Sequence, residues 1–258
     1  MDLGLKGRWA LITGASKGIG YAAADSLAQA GCNLHLAART KADLEKAQAQ
    51  LKKQYDVKVE IHATDLSDGD AARALVEQCK DVDILVNNAG AIPAGDIHTM
   101  TEDRWRDAWN LKVFGYQNMC RAMLAHMRER GRGVIVNVIG AAGEAHTPAY
   151  IAGTAGNASI MAMTRALGAT SRSYGVRVVG INPGLIATDR MTTLLRTKAE
   201  KEFGDAGKWE QLIDKTYPPG APAHIGDMVA FLASDRSANT TGTIITIDGG
   251  SSARGTSV

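Results

Sequence analysis

Short apolar runs alternate with longer amphipathic stretches along almost the whole chain. Several of the apolar runs are rich in valine and isoleucine, which is typical of strands buried on both faces of a parallel sheet. The pattern predicts seven such strands, over residues 9–13, 33–38, 57–63, 84–87, 134–139, 177–182 and 243–248. Parallel strands need crossover connections, and the amphipathic stretches between the runs are long enough to supply them.

Those amphipathic stretches predict helices over residues 19–30, 41–54, 68–79, 101–130, 155–174 and 226–234. We expect Gly31 to end the first helix and Ser67 to cap the start of the third. Alternating strands and helices predict an α/β fold with helices on both faces of the sheet. No linker is visible, so we expect one domain over 1–258, with a substrate lid at about 188–222 and a disordered polar tail over 251–258.

The amino-acid composition limits the classes of protein to which the chain can belong. The chain has 258 residues, 45% of them apolar and 22% charged, which is ordinary for a globular domain. A net charge of +2 provides no concentrated basic field for nucleic acid. No apolar run approaches a membrane span, and the chain starts without a signal-peptide pattern. We therefore expect a cytoplasmic protein that binds neither nucleic acid nor membrane.

The three cysteines, Cys32, Cys79 and Cys120, are far apart in the chain and have no CxxC spacing. This pattern indicates neither a disulfide framework nor a zinc site. We interpret them as small buried side chains and expect no metal site.

Residues 13–20 read TGASKGIG and join the first predicted strand to the first predicted helix. Three glycines permit a tight turn and bring the backbone close to a diphosphate, and the N-terminus of the helix offers free N–H groups to the anion. The GxxxGxG spacing departs from the GxGxxG of the commoner dinucleotide fingerprint. Taken alone, the segment is equally consistent with a plain strand-to-helix turn.

Four further motifs follow this loop in order: NNAG at 87–90, Tyr150 before a helix, NPG at 182–184 and DGG at 248–250. Together with TGASKGIG they resemble the short-chain dehydrogenases/reductases over essentially the whole chain. The resemblance implies a single doubly wound Rossmann fold of about seven parallel strands, a nicotinamide dinucleotide cofactor, and a homotetramer or homodimer.

The resemblance also implies which residues bind the cofactor. The phosphates are expected to lie against Gly14, Ser16, Lys17, Gly18, Ile19 and Gly20. The adenine is expected to lie against Asp65 and Leu66, and the cleft to be lined by Asn88, Ala89, Gly90 and Tyr150. Pro183, Gly184, Ile186 and Thr188 are expected along the nicotinamide.

The end of the second strand favours NADP(H) over NAD(H). An NAD site usually has a carboxylate here for the ribose hydroxyls, whereas this chain has Ala38 followed by Arg39. A guanidinium can bind a 2′-phosphate through two hydrogen bonds, and Lys17 adds a second cation on the same side. Both are alternatively interpreted as ordinary solvated charges.

The catalytic residues match the family only in part. The resemblance implies that Tyr150 donates a proton to a carbonyl oxygen while hydride is transferred, and that Asn110 anchors water. The family lysine, four residues after the tyrosine, corresponds to Thr154, and the family serine corresponds to Gly140. Thr154 can hydrogen-bond a ribose hydroxyl but supplies no charge.

Substitutes for the missing groups are conceivable. His146 could polarise a carbonyl near neutral pH, and Glu144 and Asn137 lie nearby in sequence. Lys112, two residues after Asn110, is expected on a different face of the helix.

Three functions remain open. The first is an NADP(H)-dependent oxidoreductase that interconverts a carbonyl and an alcohol on a small or apolar substrate. The alternative is a catalytically weak or inactive dinucleotide-binding protein that senses or regulates, which the missing lysine and serine favour. A different reaction on the same scaffold is a third possibility, because fold does not fix function.

Overall fold

The computed structural model describes residues 2–253, so residues 254–258 of the predicted tail lie outside the described residues. Seven strands form one sheet in the order β3-β2-β1-β4-β5-β6-β7, and every neighbouring pair is parallel. The strands are β1 Trp9–Thr13, β2 Asn33–Ala38, β3 Val59–Ala63, β4 Ile84–Asn87, β5 Gly133–Val138, β6 Val176–Pro183 and β7 Ile244–Ile247. The predicted α/β fold is confirmed.

Helices cover both faces of the sheet. They are α1 Gly18–Gln29, α2 Lys41–Gln54, α3 Gly69–Gln78, α4 Glu102–Trp109, α5 Gly115–Arg130, α6 Ala142–Ala145, α7 Ile151–Ser171, α8 Asp189–Phe203 and α9 Pro222–Ala233. One core cluster packs Leu27 of α1 and Val229 of α9 against the sheet, and a second packs Leu75 of α3 and Met123 of α5 against the other face. Among the described residues, no helix combines the length and apolarity needed to cross a membrane.

The cap predicted for α3 is wrong by one residue. Asp68, and not Ser67, is the N-cap, and its carboxylate accepts hydrogen bonds from the backbone N–H groups of Asp70 and Ala71. Ser67 instead donates to Asp65 from both its backbone N–H and its hydroxyl. Both residue types favour N-cap positions, so the sequence did not decide between them.

The long helix predicted over 101–130 is interrupted. A π-helical turn at Asn110–Phe114 separates α4 from α5, and the backbone N–H of Gly115 donates to the Asn110 carbonyl across it. The extra residue in such a turn rotates the side chains that follow, and π turns are frequent at functional sites. Its position places Asn110 and Lys112 beside the carboxyl ends of the strands, where ligands bind in open parallel sheets.

The predicted lid segment contains two helical pieces. Helix α8 occupies its first half, and a 3-10 helix at Ala206–Leu212 packs against α8. The segment is connected back to the sheet by a bridge between Ile186 and Gly220.

Candidate active site

The loop between β1 and α1 leaves a backbone-lined cradle. Gly14 has a φ of +66°, in the left-handed region, and a Cβ there would lie 2.9 Å from Ala89 Cα. A Cβ on Gly20 would overlap the carbonyl oxygen of Gly14. Glycine is therefore required at both positions for the loop to fold this closely.

The N-terminus of α1 is free to bind an anion. Its N-cap residue, Lys17, is exposed and makes no side-chain hydrogen bond to the helix. The first N–H groups of the helix thus lack a side-chain acceptor, and the helix dipole favours negative charge at this end. The cradle and the free helix end together fit the diphosphate of a dinucleotide.

The NNAG segment is joined to this loop by a hydroxyl that the sequence analysis missed. Thr13 Oγ1 accepts hydrogen bonds from the backbone N–H groups of Asn88 (2.9 Å) and Ala89 (3.0 Å). The Asn88 amide donates to the carbonyls of Thr13 and Gly14. Asn88 therefore fixes the loop by binding its carbonyl groups. The threonine that ends the first strand was the sequence feature from which these contacts could have been predicted.

The adenosine end of the cleft lies after β2 and β3. Arg39 is exposed at the end of β2, and it is close enough to Asp65 for its charge to act on that carboxyl. Hydrogen bonds from Ser67, and more weakly the Arg39 charge, lower the pKa of Asp65 against an opposing effect of burial. Leu66 is buried beneath this surface. The structure thus brings together the three residues expected near the adenosine.

The other end of the cleft is formed by the segment after β6. Gly184 passes so close to Asp248 that a Cβ would lie 2.5 Å from the Asp248 Cβ, which links the NPG and DGG motifs. Ile186 is buried, and Thr188 is the N-cap of α8, accepting from Met191 N at 3.2 Å. The methyl of Thr188 lies 3.5 Å from where a Cβ of Gly18 would be. Helix α8 therefore starts directly beside the loop between β1 and α1.

Tyr150 is the N-cap residue of α7 and stands at the mouth of this cleft. Backbone hydrogen bonds join its neighbours Ala149 and Ile151 to Gly95. Its ring lies over Gly153, where a Cβ would overlap the ring carbons. The absence of a side chain at Gly153 thus allows the Tyr150 ring to take this position.

Arg190, on the first turn of α8, contacts the Tyr150 hydroxyl. The guanidinium donates to Tyr150 Oη at 3.2 Å, to the Ile92 carbonyl at 3.0 Å and to the Gly90 carbonyl at 3.4 Å. Arg190 could not be linked to Tyr150 from the sequence because 40 positions separate the two residues. Arg190 follows Thr188, an expected cofactor contact, by two positions. That proximity was the sequence feature that could have identified Arg190.

Two opposing effects act on Tyr150. Burial raises the pKa of its hydroxyl above the ordinary value for tyrosine, while the charge and the hydrogen bond of Arg190 lower it. Burial is the larger effect, so the net direction is upward and the hydroxyl is protonated at neutral pH. A protonated hydroxyl facing a cation is arranged to release its proton as charge develops on a neighbouring oxygen.

The two positions that the sequence predicts to depart from the family pattern have their own contacts. Thr154 lies one turn after Tyr150, and its hydroxyl donates to the Thr147 carbonyl at 3.3 Å. Gly140 follows β5 with a φ of +138°, and a Cβ there would lie 2.9 Å from the Asn157 amide nitrogen. The chain therefore folds here in a way that disfavours any side chain at position 140.

The three residues considered as substitutes for the missing serine and lysine have different surroundings. Asn137 is fully buried and hydrogen-bonds Asn87 and Thr164, which makes it part of the core. Glu144 lies 3.2 Å from the Thr246 hydroxyl and 3.9 Å from Arg165. His146 is exposed, with a φ of +48°. Asn110 is also exposed, at the start of the π turn.

Lys112 is a buried cation beside the cleft. Only 7% of it is exposed, its ammonium donates to Tyr116 Oη (2.7 Å) and the Val138 carbonyl (2.9 Å), and its stem lies against Gly90. Burial, and next the charge of Arg190, lowers the pKa of Lys112 to about 7. No salt bridge to Lys112 occurs within residues 2–253. Two cations, Lys112 and Arg190, thus flank Gly90.

Comparisons with known proteins agree with this geometry. Residues 8–199 match the sequence family described as short chain dehydrogenase. The chain is 30% identical to gluconate 5-dehydrogenase of Gluconobacter oxydans (strain 621H), over 95% of both chains. It is 29% identical to the 3-oxoacyl-[acyl-carrier-protein] reductase FabG of Chlamydia trachomatis, over 95% of this chain and 98% of the relative.

A solved structure shares the architecture. L-sorbose reductase from Gluconobacter frateurii, complexed with NADPH and L-sorbose, superposes with a TM-score of 0.89 at 28% identity, covering 96% of this chain and 98% of the other. The family match spans well over half of the chain, and the relatives align over nearly all of it. The chain belongs to the short chain dehydrogenase family.

Proposed function

We propose that this protein is an NADP(H)-dependent oxidoreductase that interconverts a carbonyl and an alcohol on a small substrate, with Tyr150 as the proton donor and Arg190 as the cation that orients it. The contact between Arg190 and the Tyr150 hydroxyl carries the proposal. It gives the Tyr150 hydroxyl a charged donor, which Thr154 cannot supply.

The phosphates of the cofactor would be held by residues of the first half of the chain. The cradle around Gly14 and Gly20 and the free start of α1 suit its diphosphate. Arg39 suits the 2′-phosphate that distinguishes NADP from NAD, since a guanidinium offers paired donors to phosphate oxygens. NADP(H) binding is further supported by the structural similarity to a reductase complexed with NADPH.

The cofactor and the protein supply different parts of the reaction. When bound, NADPH supplies a hydride to the carbonyl carbon of the substrate. Tyr150 donates its hydroxyl proton to the carbonyl oxygen, which becomes the alcohol. Arg190 holds the Tyr150 oxygen and stabilises the negative charge that remains on it, because a charge-assisted hydrogen bond strengthens as its acceptor becomes anionic. In the oxidation direction the same oxygen accepts the proton.

Arg190 also gives the lid helix a role. The side chain extends from α8 to the Gly90 and Ile92 carbonyls, so closure of the lid segment and positioning of Tyr150 are connected through one residue. The relatives named above act on gluconate, on an acyl-carrier-protein substrate and on L-sorbose, so the starting panel consists of hydroxylated sugars, sugar acids and oxoacyl compounds. We also propose the dimer or tetramer that the resemblance implies.

The test compares wild type with Tyr150→Phe. NADPH binding is measured by titration of the reduced nicotinamide fluorescence, and turnover by loss of its absorbance with each compound of the panel. We expect Tyr150→Phe to bind NADPH as wild type does and to lose about 10²–10⁴-fold in kcat, the usual contribution of a general acid.

Two results would contradict the proposal. If wild type bound NADPH tightly and consumed none with any compound, the sensor alternative would replace the enzyme. If Tyr150→Phe retained full kcat on a compound that wild type reduces, the reaction would use another acid.

A further inference from the structure

A cluster of potential metal ligands lies at the sheet edge, on β2, β3 and the end of α3. His35 Nδ1 lies 2.9 Å from His62 Nε2, and Cys79 Sγ lies 3.7 Å from the same nitrogen. The three ligand atoms all fall within 4.8 Å of one another. None of them belongs to the cofactor cleft described above.

The fold explains why these side chains meet. His62 is paired with Ala37, and Glu60 is paired with His35, in the parallel register of β2 and β3. Alternate residues of a strand share a face, so His35, Glu60 and His62 all lie on the face that α3 covers. Cys79 is the C-cap of α3 and comes down onto that face beside the two imidazoles.

Glu60 is the neighbouring residue that can supply a fourth ligand. Its carboxylate lies 3.4 Å from His35 Nδ1 and is largely exposed. Around a tetrahedral zinc ion, bond lengths of about 2.0–2.3 Å place neighbouring nitrogens about 3.3 Å apart and nitrogen and sulfur about 3.6 Å apart. The 2.9 and 3.7 Å separations among His35, His62 and Cys79 are close to those edges, so small adjustments would bring these three groups onto one ion. Glu60 lies 3.4 Å from His35 Nδ1 but outside this group of three, so its exposed side chain would have to rotate to reach the same ion.

We propose that His35, His62, Cys79 and Glu60 form a structural zinc site that connects the edge strand β3 to β2 and to the end of α3. Imidazole, thiolate and carboxylate are the ligand types that zinc takes, and four protein ligands make a closed, structural site and not a catalytic one. β3 is at the edge of the sheet and His62 is only half-buried, which gives the ion a path from solvent.

Binding has a defined proton balance. Without metal, burial and then the charge of Glu60 raise the pKa of Cys79 to about 12, so the thiol is protonated, and burial lowers the pKa of His35, which keeps it neutral. On binding, the thiol proton leaves to the buffer and sulfur coordinates as thiolate. The imidazole nitrogen that carries the hydrogen of the His35–His62 bond passes that hydrogen to its other ring nitrogen.

The test uses full-length protein without a histidine tag, dialysed against a chelator and titrated with Co²⁺ as a spectroscopic replacement for Zn²⁺. We expect one Co²⁺ per chain, a thiolate-to-cobalt charge-transfer band, and displacement by Zn²⁺. Cys79→Ser should abolish the band, and His62→Ala should weaken binding by about tenfold or more, at least the loss typical of altered metal surroundings. His126→Ala, at the ion pair with Glu77 outside the cluster, is the matched control and should bind as wild type does.

Wild type without a charge-transfer band would overturn the proposal, as would a band that survives Cys79→Ser or binding that His62→Ala leaves unchanged. Should either variant fail to fold, Trp9 locates the ion, because its ring centroid lies 4.6 Å from that of His35. Co²⁺ bound there quenches the Trp9 fluorescence, so the quenching should fall in Trp9→Phe. Equal quenching in Trp9→Phe would place the ion elsewhere and contradict the site.

Discussion

The two ends of the cofactor cleft contrast in how they are built. The phosphate end keeps every motif expected of the family, and its parts are joined by hydrogen bonds between the side chains of Thr13 and Asn88 and the nearby backbone. At the catalytic end, the resemblance predicts departures from the family at Gly140 and Thr154, and the hydroxyl of Tyr150 is contacted instead by Arg190 from a distant element.

The contrast indicates that an anion-binding site and a proton-transfer site differ in how well they tolerate amino-acid substitution. A diphosphate needs backbone N–H groups in a fixed cradle, and few sequences can fold that closely. A cation near a tyrosine can come from any element that reaches it, since charge acts over distance and a guanidinium has a long, flexible stem. Substitution at the catalytic end is therefore compatible with an active enzyme.

The largest effect is expected from Lys112→Met, which removes a buried charge at the catalytic end. Because burial lowers the pKa of Lys112 to about 7 from 10.5, the folded state binds this proton less well than the unfolded state does. Its cost to folding is complete below about pH 7 and disappears as the pH rises towards 10.5. The variant should be more stable near neutral pH by roughly a few kcal/mol, since each unit of lowered pKa corresponds to about 1.4 kcal/mol and the loss of two ammonium hydrogen bonds offsets part of the gain.

Urea unfolding of both proteins over this pH range measures that difference. The Tyr116 hydroxyl keeps its own bond to the Val138 carbonyl at 2.6 Å, so no buried donor is left without a partner. Lys52→Met, at the exposed end of α2, controls for the general effect of losing a lysine. A Lys112→Met variant that is no more stable at any pH would show that the buried ammonium costs nothing.

A smaller effect is expected when the family serine is restored at the catalytic end. Gly140→Ser requires a non-glycine residue at a φ of +138° and brings its Cβ to 2.9 Å from Asn157. We expect a loss of about 1–3 kcal/mol in the free energy of unfolding, the usual cost of such backbone strain, and no gain in kcat. Ala141→Ser, next in the chain at an ordinary φ of −62°, should leave stability nearly unchanged. If Gly140→Ser were faster than wild type and equally stable, the native site would be one that has lost activity because it lacks the family serine.

The smallest effect concerns the phosphate end. Arg39→Asp should weaken NADPH binding by about tenfold, the loss of one exposed charge-assisted interaction, and leave NADH binding unchanged or improved. Fluorescence titration of both cofactors measures the ratio. Lys52→Asp changes the charge equally at the far end of α2 and is the control. Equal losses for the two cofactors would remove Arg39 as the residue that selects NADP(H).

The sequence predicted most of the fold because its signals are local. Apolar runs placed the seven strands to within two residues at each end. The glycines of the TGASKGIG loop predicted a phosphate site only together with the motifs that follow it in the chain. Arg190 was missed because its contact with Tyr150 depends on how α8 packs, which no local pattern encodes. The π turn at Asn110 and the meeting of His35 with Cys79 depend likewise on tertiary geometry.

The most direct measurement of the central claim is the pH dependence of alcohol oxidation in Arg190→Met. Oxidation needs the Tyr150 oxygen as a base, and the Arg190 cation lowers the pKa of that hydroxyl. Removing the cation should move the rise in kcat/KM to higher pH and reduce kcat by about tenfold near neutral pH, with NADP binding unchanged and with Arg196→Met, on the same helix, behaving as wild type. An Arg190→Met variant with the pH profile and kcat of wild type would contradict the role assigned to Arg190.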